Sequence, residues 1–423
     1  MNKRTNKHNK HNKTIKNKTI KYHKLAKKDK KKYTKLPNRT PKLINELSIL
    51  IKKTIPKKMP SFVDSVAVKE DLMEEEKLLG SYSPTVNKEL VLLQSIERQY
   101  VSNCNNELAY KLKEPLQIGI PGNIYGKTCY PYYSPEAVRF LLKNLSANKH
   151  VDPSKIVPPI QSQSNCWFNT MFVVLFVSDK GRKFFHFFRQ LMIEGKQSDG
   201  SLIPSNLRNG FALLNYAIES CLSGNKFAYI LDTNAIIRTI YNAIPNKYKE
   251  VLPYITPVDE AGNPMRYYGS LISYLHNKSL EYLFIKNGTE RWLETTREEI
   301  SKRKHLPHFI ILEIYDGVNR TAGPSGKITN KARSFNIKGG KYVLDSCVIR
   351  DTSQQHFSSV LTCETTEMAY DGLSYHRLVP LEWKKYINSD YSWGFEGSND
   401  LKGKALKWDF LHGYQMLIYY RSE

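Results

Sequence analysis

Polar and apolar positions divide the chain into three stretches of different kind. Residues 1–60 repeat Lys, Asn, Thr and His with few large apolar groups. Such a segment cannot bury enough surface to offset its conformational entropy, so a disordered tail is expected, with a short amphipathic helix near 43–51. Residues 61–150 show helical periodicity over 70–79, 87–112 and 136–145, around a turn-rich Tyr130-Pro-Tyr-Tyr-Ser-Pro135, and read as a helical accessory region. From 151 to 423 the pattern is that of a globular domain with a core of its own. Its lead-in, Val151 to Ile160, holds three prolines and is expected to be extended.

The sharpest change comes at Cys166. Gln161-Ser-Gln-Ser-Asn165 is wholly polar, and the twelve residues from Cys166 to Val177 are almost wholly apolar. That is the pattern of a loop entering a buried helix, with a thiol in the first turn. The helix should break near Ser178–Gly181 and restart over 184–193. Further helices are expected over 207–221, 233–243 and 265–285. From His305 onward the pattern turns to strands: 309–315, 342–349, 355–363 and 413–420, with a turn at Lys338-Gly-Gly-Lys341. Helices followed by strands indicate an α+β fold.

Composition narrows the function classes. The six cysteines, at 104, 129, 166, 221, 347 and 363, show no framework spacing and no Cys-x-x-Cys, so a reducing compartment is expected and a zinc ribbon is not. No apolar run approaches membrane length, and the N-terminus lacks a signal-peptide pattern. The expected setting is intracellular, in cytoplasm or nucleus. The net charge of +24 is concentrated in the tail, where residues 1–36 hold fourteen lysines and Arg4 against Asp29 alone. A block of like charge suits a phosphate-rich partner, so non-specific nucleic acid is expected at residues 1–60. Heavy use of Lys, Asn, Ile and Tyr fits an AT-rich coding sequence, such as that of a large DNA virus or a protist.

The chemistry-bearing residues centre on Cys166. The positive end of a helix stabilises a negative sulfur, and a histidine is then enough to make a nucleophile–base pair. His356, at a strand start, is the expected base, and Asp371, on the next strand, the acceptor that holds its imidazole. The Cys166 N–H and the Gln161 side chain are the expected oxyanion donors, with Gln163 and Asn165 as substitutes. His305, His308 and His376 are competing bases. His186 and the strand cysteines Cys347 and Cys363 read as core residues. No metal or cofactor is expected.

These residues resemble the landmarks of ubiquitin-specific proteases, a papain-clan family. Cys166-Trp-Phe-Asn-Thr170 resembles the cysteine box, with Gln161 where the family has its oxyanion asparagine. Leu306-Pro307 before an apolar strand, Tyr342/Leu344, His356-Phe357, Asp371 and Tyr414/Leu417/Tyr419 follow in the family's order. Gln355 stands where Gly is usual, Phe357 where Tyr is usual, and Gly372 where a second acid is usual. The resemblance implies a papain-like fold with a helical lobe and an antiparallel sheet lobe. It also implies a thiol peptidase acting on an amide or isopeptide bond of ubiquitin, a ubiquitin-like protein or a viral protein. With the coding bias, it extends to a thiol protease packaged in the virion of a giant DNA virus. Two alternatives stand beside it. One is a SUMO-protease or adenain-like order built from His308, Asp345, Gln355 and Cys363; the other is a non-catalytic nucleic-acid-binding protein.

Overall fold

The structure is a computed structural model that describes residues 104–120, 128–147, 150–197, 200–224, 228, 231, 233–249, 264–275, 280–286, 288–314, 328–353 and 356–422. By its contacts the chain divides into Met1–Glu46 and Leu47–Glu423. The first unit lies outside the described residues, as does everything expected of the basic tail and of residues 61–103.

The helices, in chain order, are α1 (Glu107–Tyr110), α2 (Pro135–Ala147), α3 (Cys166–Phe176), α4 (Asp179–Phe184), α5 (His186–Glu194), α6 (Arg208–Ser223), α7 (Thr233–Ala243), α8 (Pro264–Tyr274), α9 (Trp292–Ser301) and α10 (Trp383–Tyr386). Strands β1 (Gln117–Ile120) and β2 (Thr128–Pro131) form a small antiparallel pair. The large sheet contains β3 (Tyr282–Ile285), β4 (Phe309–Ile314), β5 (Ser334–Ile337), β6 (Gly340–Arg350), β7 (Phe357–Cys363), β8 (Thr366–Tyr370), β9 (Leu378–Pro380) and β10 (Gln415–Arg421). Its order is β3-β4-β10-β6-β7-β8-β9, with β5 paired to β6. The chain is therefore α+β.

The sheet departs from the expected antiparallel one at its edge. β3 runs parallel to β4, with α9 making the crossover that a parallel pair requires. The single helix expected over 265–285 is instead α8 followed by β3. Tyr282-Leu-Phe-Ile285 is an aromatic and β-branched run with alternating burial, and its backbone is satisfied by β4.

Both faces of the sheet are covered. Phe309, Ile311, Met416, Ile418 and Tyr420 face the helices α3–α8. Ile310, Leu312, Ile314, Leu417 and Tyr419 face a second core under α9 and α10 with Trp292, Trp383 and Trp408. Because alternate residues enter two cores, the strands read as continuous apolar runs. Helix α3 is buried from Trp167 to Phe176 without a polar face, as a helix enclosed on all sides must be. It packs against β7 and β6.

The described part of the accessory region, 104–147, shares the core of α3 and α6: Tyr110 packs on Tyr216, and Phe140 and Leu141 are buried in the same cluster. It contains β1 and β2 as well as helix. Cys104 and Cys129 form a disulfide that ties its start to β2. The cysteine spacing predicts no disulfide framework; this single pair, 25 residues apart, has no signature in sequence, and only the fold brings the two together.

The two lobes meet in a buried ion cluster. Ser178 caps α4 through Gly181 N, at 3.2 Å, giving the expected break. One turn later Arg182, 3% exposed, donates to Val177 O at 2.6 Å, Asp179 Oδ1 at 3.1 Å and Glu364 Oε1 at 2.6 Å. Glu364 and Thr365, at φ 45° and 65°, make the β7–β8 turn, where the left-handed conformation is costly for residues other than Gly. The Asp179 carboxylate offsets that cost by accepting from both turn amides. Removing one partner of such a cluster leaves buried charge uncompensated. Arg182→Met is expected to lower the unfolding free energy by about 3–5 kcal/mol in urea titration. Lys155→Met, which breaks the exposed pair with Asp152, should cost under about 1 kcal/mol.

Candidate active site

Three elements converge on Cys166. The thiol sits on the first residue of α3, half-buried, with Asn165 at the cap position. His356 comes from the opposite lobe, one residue before β7. Asp351 holds it there: the Asp351 carboxylate accepts from His356 N at 2.6 Å and Ser353 N at 2.8 Å, and Asp351 N donates to His356 O at 2.9 Å. The return of the β7–β8 hairpin, pairing Ser359 with Tyr370, then carries Asp371 to His356. Gly413 allows the close approach beneath this turn: its φ is +80°, and a Cβ there would lie 2.3 Å from Arg350 O.

His356 Nε2 meets Asp371 Oδ1 at 2.5 Å, with both side chains almost wholly enclosed. The Cys166 thiol lies near enough to the same imidazole to raise its pKa. Since Nε2 belongs to Asp371, Nδ1 is the nitrogen left for the sulfur. The ring also stands edge-on to Trp408, centroids 5.9 Å apart. Asp371 is held in turn by Leu373 N at 3.1 Å and by the Ser398 hydroxyl on its second oxygen. Burial pushes the His356 pKa down, but the bonds to Asp371 and Cys166 outweigh it, and the pKa rises to about 10. The imidazole is thus cationic at neutral pH, beside the sulfur. A cation in that position is the charge partner of a thiolate nucleophile.

Gln161 lies on the strap joining the lobes, its N–H donating to Gly372 O at 3.0 Å, while Tyr370 Oη donates to Pro159 O at 2.7 Å. Its side-chain Oε1 is buried without a hydrogen-bond partner. Of the two substitute donors, Asn165 has its amide hydrogens engaged elsewhere, and Gln163 is bonded through its acceptor oxygen. Asn165 Nδ2 donates to Thr233 Oγ1 at 2.9 Å and Asn234 Oδ1 at 3.0 Å, and the Gln163 Oε1 accepts from Asn234 Nδ2 at 3.4 Å.

The competing residues stand elsewhere. His305 is exposed. His308 accepts from Glu281 N at 3.0 Å beside Phe184, and burial, with the Arg421 charge, pushes its pKa down to about 4. Cys363 is fully buried against Arg182, 3.7 Å from its sulfur, and burial drives its pKa well up. Asp345 accepts from Lys180 N at 3.1 Å, and Gln355 lies outside the described residues. No hydrogen bond joins His308, Asp345 and Cys363 to one another. His376 is half-buried past Asp371, and His186 lies in the core. Among the described residues no cluster of three or more His, Cys, Asp or Glu could hold a metal ion, and no helix is long and apolar enough to cross a membrane.

Sequence reasoning missed Asp351, Ser398, Thr233 and Asn234. Asp351-Thr-Ser353 carries the short-range signature of an Asx turn. Ser398, 27 residues from Asp371, carries none.

The sequence matches no protein family and no curated protein. Among solved structures, the chain is weakly similar to one of the SAGA DUB module Ubp8/Sgf11/Sus1/Sgf73 bound to monoubiquitin, with TM-score 0.38 and 8% identity over 84% of this chain and 96% of that chain. A structure of the SAGA Ubp8/Sgf11/Sus1/Sgf73 DUB module gives TM-score 0.34 and 10% identity over 87% of this chain and 99% of that chain.

The His356 environment makes stability depend on pH. The folded chain holds this proton to about pH 10, whereas an unperturbed histidine releases it near 6.5. The corresponding stability is fully present below pH 6.5 and is lost as pH rises towards 10. The melting temperature of the wild type relative to His356→Gln should therefore fall across this range; a constant difference would show that the folded state does not hold the proton.

Proposed function

We propose that the protein is a deubiquitinase-like cysteine peptidase that cleaves an amide or isopeptide bond through an acyl-enzyme. One observation carries the reading: a half-buried thiol at a helix start shares its imidazole with a buried carboxylate, as Cys166, His356 and Asp371 do. The order of landmarks that resembles ubiquitin-specific proteases makes ubiquitin the first acyl donor to test.

The groups suffice for both halves of the reaction. The Cys166 sulfur attacks the carbonyl carbon, and the C=O pair moves onto oxygen. The Cys166 N–H, one of the amides a helix leaves unbonded at its first turn, and the Gln161 amide are the donors for that oxyanion. As the carbon–nitrogen bond breaks, the imidazolium of His356 protonates the leaving amine. The neutral imidazole then takes a proton from water, whose oxygen attacks the thioester. Collapse releases the carboxylic acid, which gives its proton to solvent, and the Cys166 sulfur leaves as thiolate beside the re-formed imidazolium. Asp371 orients the ring and balances its charge without taking the proton.

The test is covalent capture. Ubiquitin with an electrophile in place of its C-terminal carboxylate should label wild type and not Cys166→Ala. Labelling by a generic peptide electrophile alone would move the substrate away from ubiquitin, and labelling of folded Cys166→Ala would overturn the nucleophile. Hydrolysis should be abolished in Cys166→Ala and His356→Ala, and fall by roughly 10²- to 10⁴-fold in Asp371→Asn. A loss in Asp371→Asn exceeding that in His356→Ala would make Asp371 structural.

The tail supports a separate activity. With fourteen lysines and Arg4 against one acid over residues 1–36, the full chain is expected to bind duplex DNA or RNA without sequence preference. Affinity should fall steeply with salt as counterions are released. Such an arm would hold the peptidase on nucleic acid, in a nucleus or inside a packaged particle. A chain lacking residues 1–60 should lose this binding and keep small-substrate turnover. Salt-insensitive binding would refute the electrostatic origin.

A further inference from the structure

The loop that carries Gln161 has no regular structure between Ile160 and Cys166, yet it must hold an oxyanion donor to a fraction of an ångström. We propose that Thr233 and Asn234, the first two residues of α7, are positioning residues for oxyanion stabilisation at Cys166. The inference rests on the peptidase reading above and extends it to residues that touch neither thiol nor imidazole.

A closed polar ring joins α7 to the loop. Thr233 Oγ1 donates to Asn169 Oδ1 at 2.8 Å, and Asn169 Nδ2 donates to Ile160 O at 3.2 Å, the carbonyl that leads into Gln161. Asn165 Nδ2 donates to Thr233 Oγ1 and Asn234 Oδ1, fixing the residue before the nucleophile. Asn234 Nδ2 donates to Ser162 Oγ at 3.0 Å, fixing the residue after Gln161. Asn165, Asn169, Thr233 and Asn234 are each at most 3% exposed, so water cannot replace a lost partner, and a buried amide left unpaired would move. On its other side the loop is bonded to the sheet lobe through Gln161 N and Gly372 O. Gln161 is thereby held between two lobes, and the α7 contacts fix the residues on either side of it. The ring also explains why Asn165, next to the thiol, does not serve as the oxyanion donor: both its amide hydrogens are used to fix the loop.

The test separates steps that build an oxyanion from steps that do not. Alkylation of Cys166 by iodoacetamide displaces iodide at a saturated carbon and needs only the sulfur and His356. Acylation by p-nitrophenyl acetate passes through a tetrahedral oxyanion and expels p-nitrophenolate. In Thr233→Val and Asn234→Ala, the acylation rate should fall by roughly tenfold or more, as when an oxyanion donor is misplaced. The alkylation rate and its pH profile should stay within about twofold of wild type, since the thiol–imidazole pair is untouched. Thr233→Ser, which keeps the hydroxyl, should restore acylation. The proposal is overturned if both rates survive in Thr233→Val and Asn234→Ala. It is overturned equally if both fall together with the melting transition, which would make the ring a fold element alone. Failure of the underlying reading looks different: wild-type Cys166 would be neither acylated by p-nitrophenyl acetate nor dependent on His356 for its alkylation rate, and this inference would fall with it.

Discussion

The cleft depends on a charged pair kept away from water. An imidazolium and a carboxylate taken out of solvent lose several kcal/mol of hydration each, and recover it only with good geometry and further hydrogen bonds. His356 and Asp371 meet both conditions. The carboxylate receives the ring, a backbone N–H and a hydroxyl, from three different parts of the chain. Trp408 closes the site from the side, and the nearby thiol adds to the pull on the His356 proton. A looser arrangement would lower the His356 pKa and weaken its hold on the charge beside Cys166.

That arrangement requires a rigid platform, and the sheet supplies it. Its central strands are buried on both faces, so β7 and β8 cannot tilt without disturbing two cores. The β7–β8 turn is strained at Glu364 and Thr365, but is fixed from the helical lobe by Asp179 and Arg182. The same hairpin holds His356 near its start and Asp371 just past its end. The inter-lobe ion cluster and the candidate site are thus two ends of one structural unit.

The opposite wall is built by polar side chains. Between Ile160 and Cys166 the backbone follows no ladder, and its position is set by amide and hydroxyl groups reaching from α3 and α7. Such networks are stable only when nearly complete, which fixes the loop in one conformation. A thiol on a helix, an imidazole on a sheet and the Gln161 amide on a polar strap are therefore held by three different kinds of interaction, each suited to the local backbone.

Much of this was legible in the chain. The break in polarity at Cys166 marks a buried helix because no amphipathic surface helix has ten enclosed positions in succession. The strands from 309 onward announce themselves as β-branched runs, and His356 and Asp371 fall at their ends. What could not be read lies at long range. Burial of the sheet on both faces hid the parallel edge strand β3 within what looked like a helix. The Cys104–Cys129 disulfide, the Ser398 hydroxyl on Asp371 and the α7 ring join positions whose spacing in sequence carries no period. Local pattern determined which segments are helix, strand and candidate chemistry, because periodicity is a property of neighbours. Only tertiary structure decided which polar groups meet, because a buried donor finds its acceptor wherever the folded backbone happens to bring one.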